Sequence, residues 1–219
     1  GDAVLVSSHY YAMGPAGAPG IDARKLLSDD PRLAREMPIL VGAGKAAGVP
    51  YRMTEGNTCY HGGQPGVSDA FASALWAADY SLRVAQAGFA GVNLHGGGEG
   101  YYAPITGEPN ATKLRPEYYG MQLAQQFAGA TFVSALVVNA HDVNAYAARR
   151  KDALLVAVVN KSSETAQVKL RSDAAKATEC WKLSAPSLDA KEGVQFARAA
   201  VDERLVPGYA AVVWKFPLK

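Results

Sequence analysis

The sequence predicts an α/β part followed by an all-β part, and two observations carry this prediction. Up to about residue 129, short apolar runs alternate with helical segments, and each apolar run leads into a polar, glycine-rich loop. This order is typical of parallel βα units, whose polar residues gather at the carboxyl ends of the strands. Beyond residue 129, short β-rich runs are separated by turns, which indicates an antiparallel sandwich. We therefore expect two domains, residues 1–129 and residues 130–219.

The composition excludes two classes of partner. The net charge is +2 with both signs scattered, so no basic stripe is present for nucleic acid and no polybasic patch for a membrane surface. The most apolar long window, residues 71–92, contains Asp79 and Arg83 and keeps helical periodicity. We therefore expect no nucleic-acid partner and no membrane span.

The first βα unit begins with an apolar run over residues 3–7, which has the pattern of a buried parallel strand. A loop rich in Gly, Pro and Ala follows, and an aspartate before Pro31 is placed to cap a helix. Pro38 should kink or split that helix.

The second unit contains the first candidate for chemistry. A short strand over residues 51–54 leads directly to Glu55, and a loop with several glycines follows at residues 56–66. Enzymes with βα units place catalytic side chains in such loops at the ends of their strands. Glu55 is therefore the leading candidate.

The third unit repeats the pattern. An apolar stripe predicts a helix that begins near Phe71 and ends at Gly88. A short strand over residues 91–95 then leads into another glycine run, and a further helix is predicted from Pro116 to Ala128.

The cysteines and histidines predict no metal site or other cofactor. Cys59 and Cys180 have neither metal-site spacing nor the density of a disulfide scaffold, so we interpret both as free thiols. His9 and His95 have no second and third ligand at suitable spacing.

Three βα units cannot close a barrel, which usually needs eight units and roughly 250 residues. The simplest interpretation is that the chain is the C-terminal part of a larger protein. A small doubly wound domain is the rival, but no phosphate-binding glycine motif follows a strand.

Four segments in order resemble the heparanase and β-glucuronidase family, glycoside hydrolase family 79. These segments are residues 54–57, 60–63, 66–80 and 91–97. The resemblance implies the last three βα units of a (β/α)8 TIM barrel, followed by an antiparallel β-sandwich. It also implies a parent protein that is secreted or periplasmic, although no export signal lies within the chain.

The resemblance also implies roles for individual residues. Glu55 matches the nucleophile of a retaining glycosidase, and Tyr10 matches a tyrosine that hydrogen-bonds and orients this nucleophile. Tyr60, the backbone amide of Gly62 and Tyr102 match the group that holds a uronic acid carboxylate. The other expected substrate-binding residues are His9, His61 and Asn57. For His9, and equally for His95, a structural role at the barrel rim is as good an interpretation as sugar contact.

One part of the family's machinery is missing. The family's general acid/base is a glutamate in an Asn-Glu pair at the end of the fourth barrel strand, and the chain contains no such segment. Retaining chemistry needs two carboxyl groups about 5 Å apart. Glu99 is the only acidic side chain in another candidate loop, and the resemblance gives it no such role. We expect the chain alone to be inactive, with the N-terminal part of the same enzyme supplying the acid/base, and a uronic-acid-containing oligosaccharide or polysaccharide as substrate.

Two other functions remain open from the sequence. The chain could be part of a barrel-plus-sandwich glycosidase that acts on a neutral sugar such as xylose or glucose. It could also be a non-catalytic carbohydrate-binding module in which Glu55 is merely inherited.

Overall fold

Two parallel strands form the centre of the first part of the chain. In the computed structural model, which describes residues 3–169, 176–202 and 204–218, β1 (Val6–Met13) pairs in parallel with β2 (Tyr51–Cys59). The parallel pairing agrees with the βα pattern in the sequence, and it brings the carboxyl ends of both strands to the same edge.

The predicted strand over residues 91–95 is reduced to a single parallel bridge between Val92 and Met53. The Asn93 amide donates to the Met53 carbonyl at 2.8 Å, and the His95 amide donates to the Gly56 carbonyl at 2.8 Å. In a regular parallel ladder, the His95 amide would donate to the carbonyl of Glu55, two residues after Met53. It donates to Gly56 instead, so β2 contains one extra residue at this point. This irregularity prevents a continuous third strand.

In the described part of the chain, four helices surround these strands. They are α1 (Ala23–Leu27), α2 (Pro31–Ala46), α3 (Phe71–Ala87) and α4 (Pro116–Gln125). A short hairpin of β3 (Ile105–Thr106) and β4 (Lys113–Leu114) precedes α4.

The helix ends largely follow the sequence signals. Asp30 caps α2 by accepting a hydrogen bond from the Arg32 amide at 2.8 Å, and α2 continues through Pro38 without being split. Gly88 ends α3 in the left-handed conformation with φ of 97°. The last helix ends at Gln125, three residues before the predicted end.

The second part of the chain forms a six-stranded antiparallel sheet and a separate two-stranded sheet. The spatial orders are β10-β9-β12-β7-β6-β5 and β11-β8. The strands are β5 (Thr131–Val133), β6 (Val143–Arg149), β7 (Ala153–Asn160), β8 (Ala166–Gln167), β9 (Glu179–Ser184), β10 (Gln195–Arg198), β11 (Leu205–Val206) and β12 (Ala210–Pro217). The sequence pattern missed β10 and β11, which are too short to show a period of two. The sequence also predicts a β-rich run over residues 166–170, and residue 170 lies outside the described residues.

Both faces of the six-stranded sheet are buried. On one face, Val213 and Leu183 share a core with α3 and α4, and on the other face Trp214 packs with Val206 of the two-stranded sheet. Trp214 is fully buried, as expected for a packing role. One core therefore runs without interruption from the helices into the large sheet.

A buried charge network also joins the helices to the sheet. Asp79 of α3 accepts hydrogen bonds from the Tyr146 hydroxyl at 2.6 Å and from the Asn144 side-chain amide at 2.8 Å. The Lys161 ammonium lies 3.3 Å from Asp79 and 3.0 Å from Asp29. These bonds fix α3, and with it the neighbouring strands, against the sheet.

Within the described residues, no helix is both long enough and apolar enough to cross a membrane.

Candidate active site

Glu55 lies in β2 on the face opposite to the helices, and an irregularity in the strand puts it there. Met53 is buried with the core, and residues two apart in a regular strand face the same side. The register between β1 and β2 shifts by one residue between Ser8 and His9, so that Ser8 pairs with Met53 while His9 pairs with Glu55. The extra residue turns Glu55 away from the core and leaves its side chain 38% exposed.

The expected partner of Glu55, Tyr10, is not its partner. The Tyr10 hydroxyl donates to Asp30 at 3.0 Å, and its ring stacks on Tyr80 in the core. Tyr11 instead donates to Glu55 Oε1 at 2.9 Å. The expectation for Tyr10 was therefore wrong, because adjacent residues of a strand face opposite sides and Tyr10 faces the helices.

Two histidines flank the same carboxylate. The Nδ1 atoms of His9 and His95 each lie 3.7 Å from an oxygen of Glu55. His95 Nδ1 also lies 2.8 Å from the Tyr11 hydroxyl. Glu55 is thus surrounded on three sides by groups that can donate hydrogen bonds.

The residues expected to hold a uronate carboxylate lie near one another. The backbone amide of Gly62 lies near the Tyr102 hydroxyl and opposes the rise that burial causes in the pKa of that phenol, and the hydroxyl lies 3.3 Å from His95 Nδ1. Gly62 has φ of 85°, a conformation that L side chains rarely adopt. Tyr60 is half exposed, and its ring meets the Tyr11 ring edge-on at 6.0 Å between centroids.

His61 lies at the edge of this group. Its φ of 65° is unusual for a residue other than glycine, and its exposed ring packs against the Tyr60 ring at 5.0 Å between centroids. Its expected role as a substrate-binding residue stays a prediction.

Asn57 does not have the exposure that its expected role in substrate binding requires. It is fully buried, its side-chain amide donates to the His95 carbonyl at 2.9 Å and to Glu117 at 2.9 Å, and its oxygen accepts from the Thr58 amide. Every polar atom of the side chain is therefore engaged inside the protein. The expectation for Asn57 was wrong: it supports the loop that contains His95.

The surroundings of these groups alter their proton affinities. Burial raises the pKa of Tyr11, and its hydrogen bond to Glu55 and the charge of that carboxylate raise it further. Burial also raises the pKa of Tyr102. Both phenols therefore stay protonated at neutral pH and keep a proton to donate.

Glu117 has a perturbed pKa too, but it is not open to a substrate. Burial raises its pKa well above the ordinary value, and the hydrogen bond from Asn57 opposes that rise only in part. Its exposure is 1%, and Asn57 lies between it and His95. Glu117 is a buried support and not a second carboxyl group of the site.

A half-open cavity of about 740 Å³ lies beside β1. His9, Tyr11 and Tyr60 line the part nearest to Glu55, and Arg83 and Lys161 line another part. Among the described residues, no group of three or more His, Cys, Asp or Glu side chains could hold a metal ion.

The sequence assigned no specific role to three residues that form or support the site, namely Tyr11, His95 and Glu117. Alternation along β1 shows that either Tyr10 or Tyr11 faces the site, but not which one. Glu117 is far from Asn57 in sequence and has no local signal.

The fold places the chain among proteins built like glycoside hydrolases. A 4-O-α-L-rhamnosyl-β-D-glucuronidase from Fusarium oxysporum gives a TM-score of 0.70 at 15% identity, with 95% of this chain and 52% of that chain matched. An α-L-arabinofuranosidase from Thermotoga maritima gives a TM-score of 0.71 at 15% identity, with 98% of this chain and 53% of that chain matched. These likenesses show the fold alone, and they are compatible with a partial barrel.

Sequence comparison gives more specific relatives. A β-glucuronidase from Aspergillus niger is 29% identical over 172 residues, which are 71% of this chain and 31% of that protein. A β-glucuronidase from Neurospora crassa is 31% identical over 125 residues, which are 53% of this chain and 22% of that protein. These homologues confirm the resemblance to the β-glucuronidase family. The chain spans less than a third of the length of either relative, and no family model matches it.

Proposed function

We propose that this chain supplies the nucleophile and the uronate-binding residues of a retaining β-glucuronidase-like glycoside hydrolase. The substrate is β-linked glucuronic acid in a glycoside or a glycosaminoglycan-type polysaccharide. The observation that carries the proposal is the Glu55 carboxylate of β2, which accepts a hydrogen bond from Tyr11 at 2.9 Å, in a chain whose homologues are β-glucuronidases.

In the proposed reaction, Glu55 attacks the anomeric carbon and forms a glycosyl-enzyme intermediate, which water then hydrolyses. A nucleophile of this kind must be ionised and fixed in direction. The Tyr11 hydroxyl serves both needs, because a hydrogen bond to the charged form stabilises it and limits rotation of the carboxylate.

Selectivity for a uronate comes from Tyr102, the Gly62 amide and Tyr60. Two phenols and a backbone amide can bind a carboxylate without an arginine, because each offers a neutral donor. The Gly62 amide lies near the Tyr102 hydroxyl and opposes the rise that burial causes in the pKa of that phenol, so both donors face the same part of the site. Tyr60 and the exposed His9 and His61 complete the proposed wall of the sugar site.

The acid/base is proposed to come from an N-terminal part of the same enzyme. Retaining glycosidases need a second carboxyl group about 5 Å from the nucleophile. Glu117 is buried and faces Asn57, and Glu99 is exposed in the glycine loop. The isolated chain is therefore proposed to be inactive.

We also propose a domain organisation and a location for the parent enzyme. Residues 1–129 are the last three βα units of a (β/α)8 barrel, and residues 130–219 are its β-sandwich. The parent enzyme is secreted or periplasmic.

The first experiment measures hydrolysis of an aryl β-glucuronide by the chain alone and by the chain combined with the preceding part of its parent polypeptide. Turnover is expected only for the combination, and E55Q should reduce it by at least about 100-fold, since the covalent step is lost. Turnover by the isolated chain would contradict the missing acid/base.

A neighbouring pair of tyrosines provides a matched control for that assay. Y11F should lower kcat of the combined enzyme by about 10-fold or more, because the loss of one charge-assisted hydrogen bond costs about 1.5–3 kcal/mol. Y10F removes the same hydroxyl from the other side of β1 and should leave kcat nearly unchanged. An equal loss in both variants would argue against Tyr11 as the orienting residue.

Binding by the isolated chain separates a uronate from a neutral sugar. NMR titration with methyl β-glucuronide and methyl β-glucoside should perturb the Gly62 amide more strongly with the glucuronide. Equal perturbation by both sugars would favour the neutral-sugar alternative.

A further inference from the structure

Three side chains of the candidate site form a continuous line of short contacts. Tyr11 Oη lies 2.9 Å from Glu55 Oε1 and 2.8 Å from His95 Nδ1. A phenol has only one proton, so it can donate to one of these two neighbours and must accept from the other.

The two possible directions have different chemical meanings. If Tyr11 donates to Glu55, the carboxylate is ionised and His95 Nδ1 must carry a proton that it donates to Tyr11. If Tyr11 donates to His95, Nδ1 carries no proton and Glu55 must be protonated to satisfy its contact with Tyr11. If Glu55 is ionised and Nδ1 carries no proton, one of the two contacts places two acceptors against each other at hydrogen-bond distance.

We propose that His95 is a positioning residue that donates its Nδ1 proton to Tyr11, and so directs the single proton of Tyr11 to Glu55. Tyr11 then becomes a better donor, because a phenol that accepts a hydrogen bond is polarised toward donating its own. The result is an ionised and oriented Glu55.

The backbone of His95 is held in a way that suits this role. Its amide donates to the Gly56 carbonyl at 2.8 Å, and its carbonyl accepts from the Asn57 side chain at 2.9 Å. Asn57 is in turn held by the buried Glu117 at 2.9 Å. The backbone of His95 is therefore held by β2, the strand that contains Glu55.

The groups that face the imidazole are compatible with a proton on Nδ1. The Tyr11 and Tyr102 hydroxyls lie 2.8 and 3.3 Å from Nδ1, and both oxygens can accept. The Glu55 carboxylate lies 3.7 Å away and favours a donor in this position. His9 lies on the far side of Glu55, 3.7 Å from its other oxygen. Glu117 is separated from the ring by Asn57.

The hydrogen bond to Tyr11 also determines which neutral tautomer the His95 ring adopts. The hydrogen bond at one nitrogen of a histidine decides which nitrogen carries the proton. Here Nδ1 is protonated and Nε2 is left as an acceptor on a side chain that is 50% exposed. The catalytic meaning of this tautomer rests on the proposed function, but the tautomer itself does not.

The test is NMR of the isolated chain with ¹⁵N-labelled histidine at pH 7.5, with the His95 ring signals assigned from H95Q. In the wild type, Nδ1 of His95 should have the shift of a protonated nitrogen, whether the ring is neutral or cationic. In Y11F, the Nδ1 signal should change its position, because the nearest acceptor is gone and only the more distant Tyr102 and Glu55 oxygens remain. The matched variant Y10F should leave the signal in place.

An unprotonated Nδ1 in the wild type would overturn the proposal, and so would a Y11F spectrum identical to that of the wild type. The wild-type spectrum decides the question alone if Y11F does not fold. Because no turnover is measured, a failed glucuronidase assay would leave this result intact, and a wrong tautomer would leave the proposed reaction open.

Discussion

Gly120 of α4 lies where α4 crosses α3 most closely, and its replacement by alanine tests how tightly the two helices pack. A Cβ added at Gly120 would lie 2.8 Å from the backbone carbonyl carbon of Ala74 and closer still to the carbonyl oxygen. An ordinary contact between such atoms is about 3.5 Å. The obstacle is the backbone of another helix, which cannot rotate away as a side chain can.

The size of the effect follows from two opposing terms. Overpacking of a dense core costs about 1–3 kcal/mol, and the rigid obstacle places G120A at the upper end. Alanine is preferred over glycine in a helix by about 1 kcal/mol, which offsets part of that cost. The free energy of unfolding should therefore fall by about 2 kcal/mol.

Gly42 of α2 is the matched control. It is a helical glycine with exposed surroundings, and an added Cβ meets no atom within 4 Å. G42A should gain the helix preference without a penalty, which raises the free energy of unfolding by about 0.5–1 kcal/mol.

Urea denaturation followed by tryptophan fluorescence measures both variants. With an m value of about 2 kcal/mol per M, the midpoint of G120A should fall by about 1 M. The midpoint of G42A should rise slightly. If G120A is as stable as G42A, α3 and α4 do not approach each other as closely as described. The position of Glu117 in α4, and with it the hydrogen bond to Asn57, would then also be in question.

Three further predictions concern buried polar groups. K161A should destabilise the protein by about 3 kcal/mol, because the ammonium is 3% exposed and its loss leaves Asp79 without a counterion. Stability should also fall in acid. Burial raises the pKa of Asp29, but the hydrogen bond and the charge of Lys161 outweigh the effect of burial and lower the pKa below its usual 3.8. The stabilisation that the ionised Asp29 provides is complete above pH 3.8, and it is lost as the pH falls through the lowered pKa of Asp29 in the folded protein. N57A should cost about 1–3 kcal/mol, because it leaves Glu117 buried without its hydrogen-bond donor.

Each of these has its own control in urea denaturation. Lys191 pairs with Asp69 at 2.7 Å, but its side chain is 53% exposed, so K191A should cost less than about 1 kcal/mol. An equal loss for both lysines would argue against a buried role for Lys161. The acid effect should be smaller in K161A than in the wild type, and an unchanged pH profile would contradict it. The exposed Asn93 serves as the control for Asn57, and N93A should change stability by no more than about 0.5 kcal/mol.

Much of the fold could be predicted because its signals are local. The stripe that begins at Phe71 and the glycine at position 88 predicted α3 and its end, since both depend on residues within a few turns of one another. The antiparallel runs around β7 and β12 were found from their apolar β-branched residues. Strands as short as β10 and β11 form only by pairing with a neighbour, and that pairing has no local signal.

The sequence by itself determined that a strand leads to Glu55 and that two tyrosines precede it on another strand, although β2 continues past Glu55 to Cys59. Only the tertiary structure decided which of these tyrosines touches Glu55. The deciding feature is the shift of one residue in the pairing of β1 with β2, which turns Glu55 toward Tyr11 and leaves Tyr10 with Asp30. Pairing register belongs to two strands together, so a pattern read along one strand cannot contain it. The same holds for the support of His95, which Asn57 receives from Glu117 across a long separation in the chain.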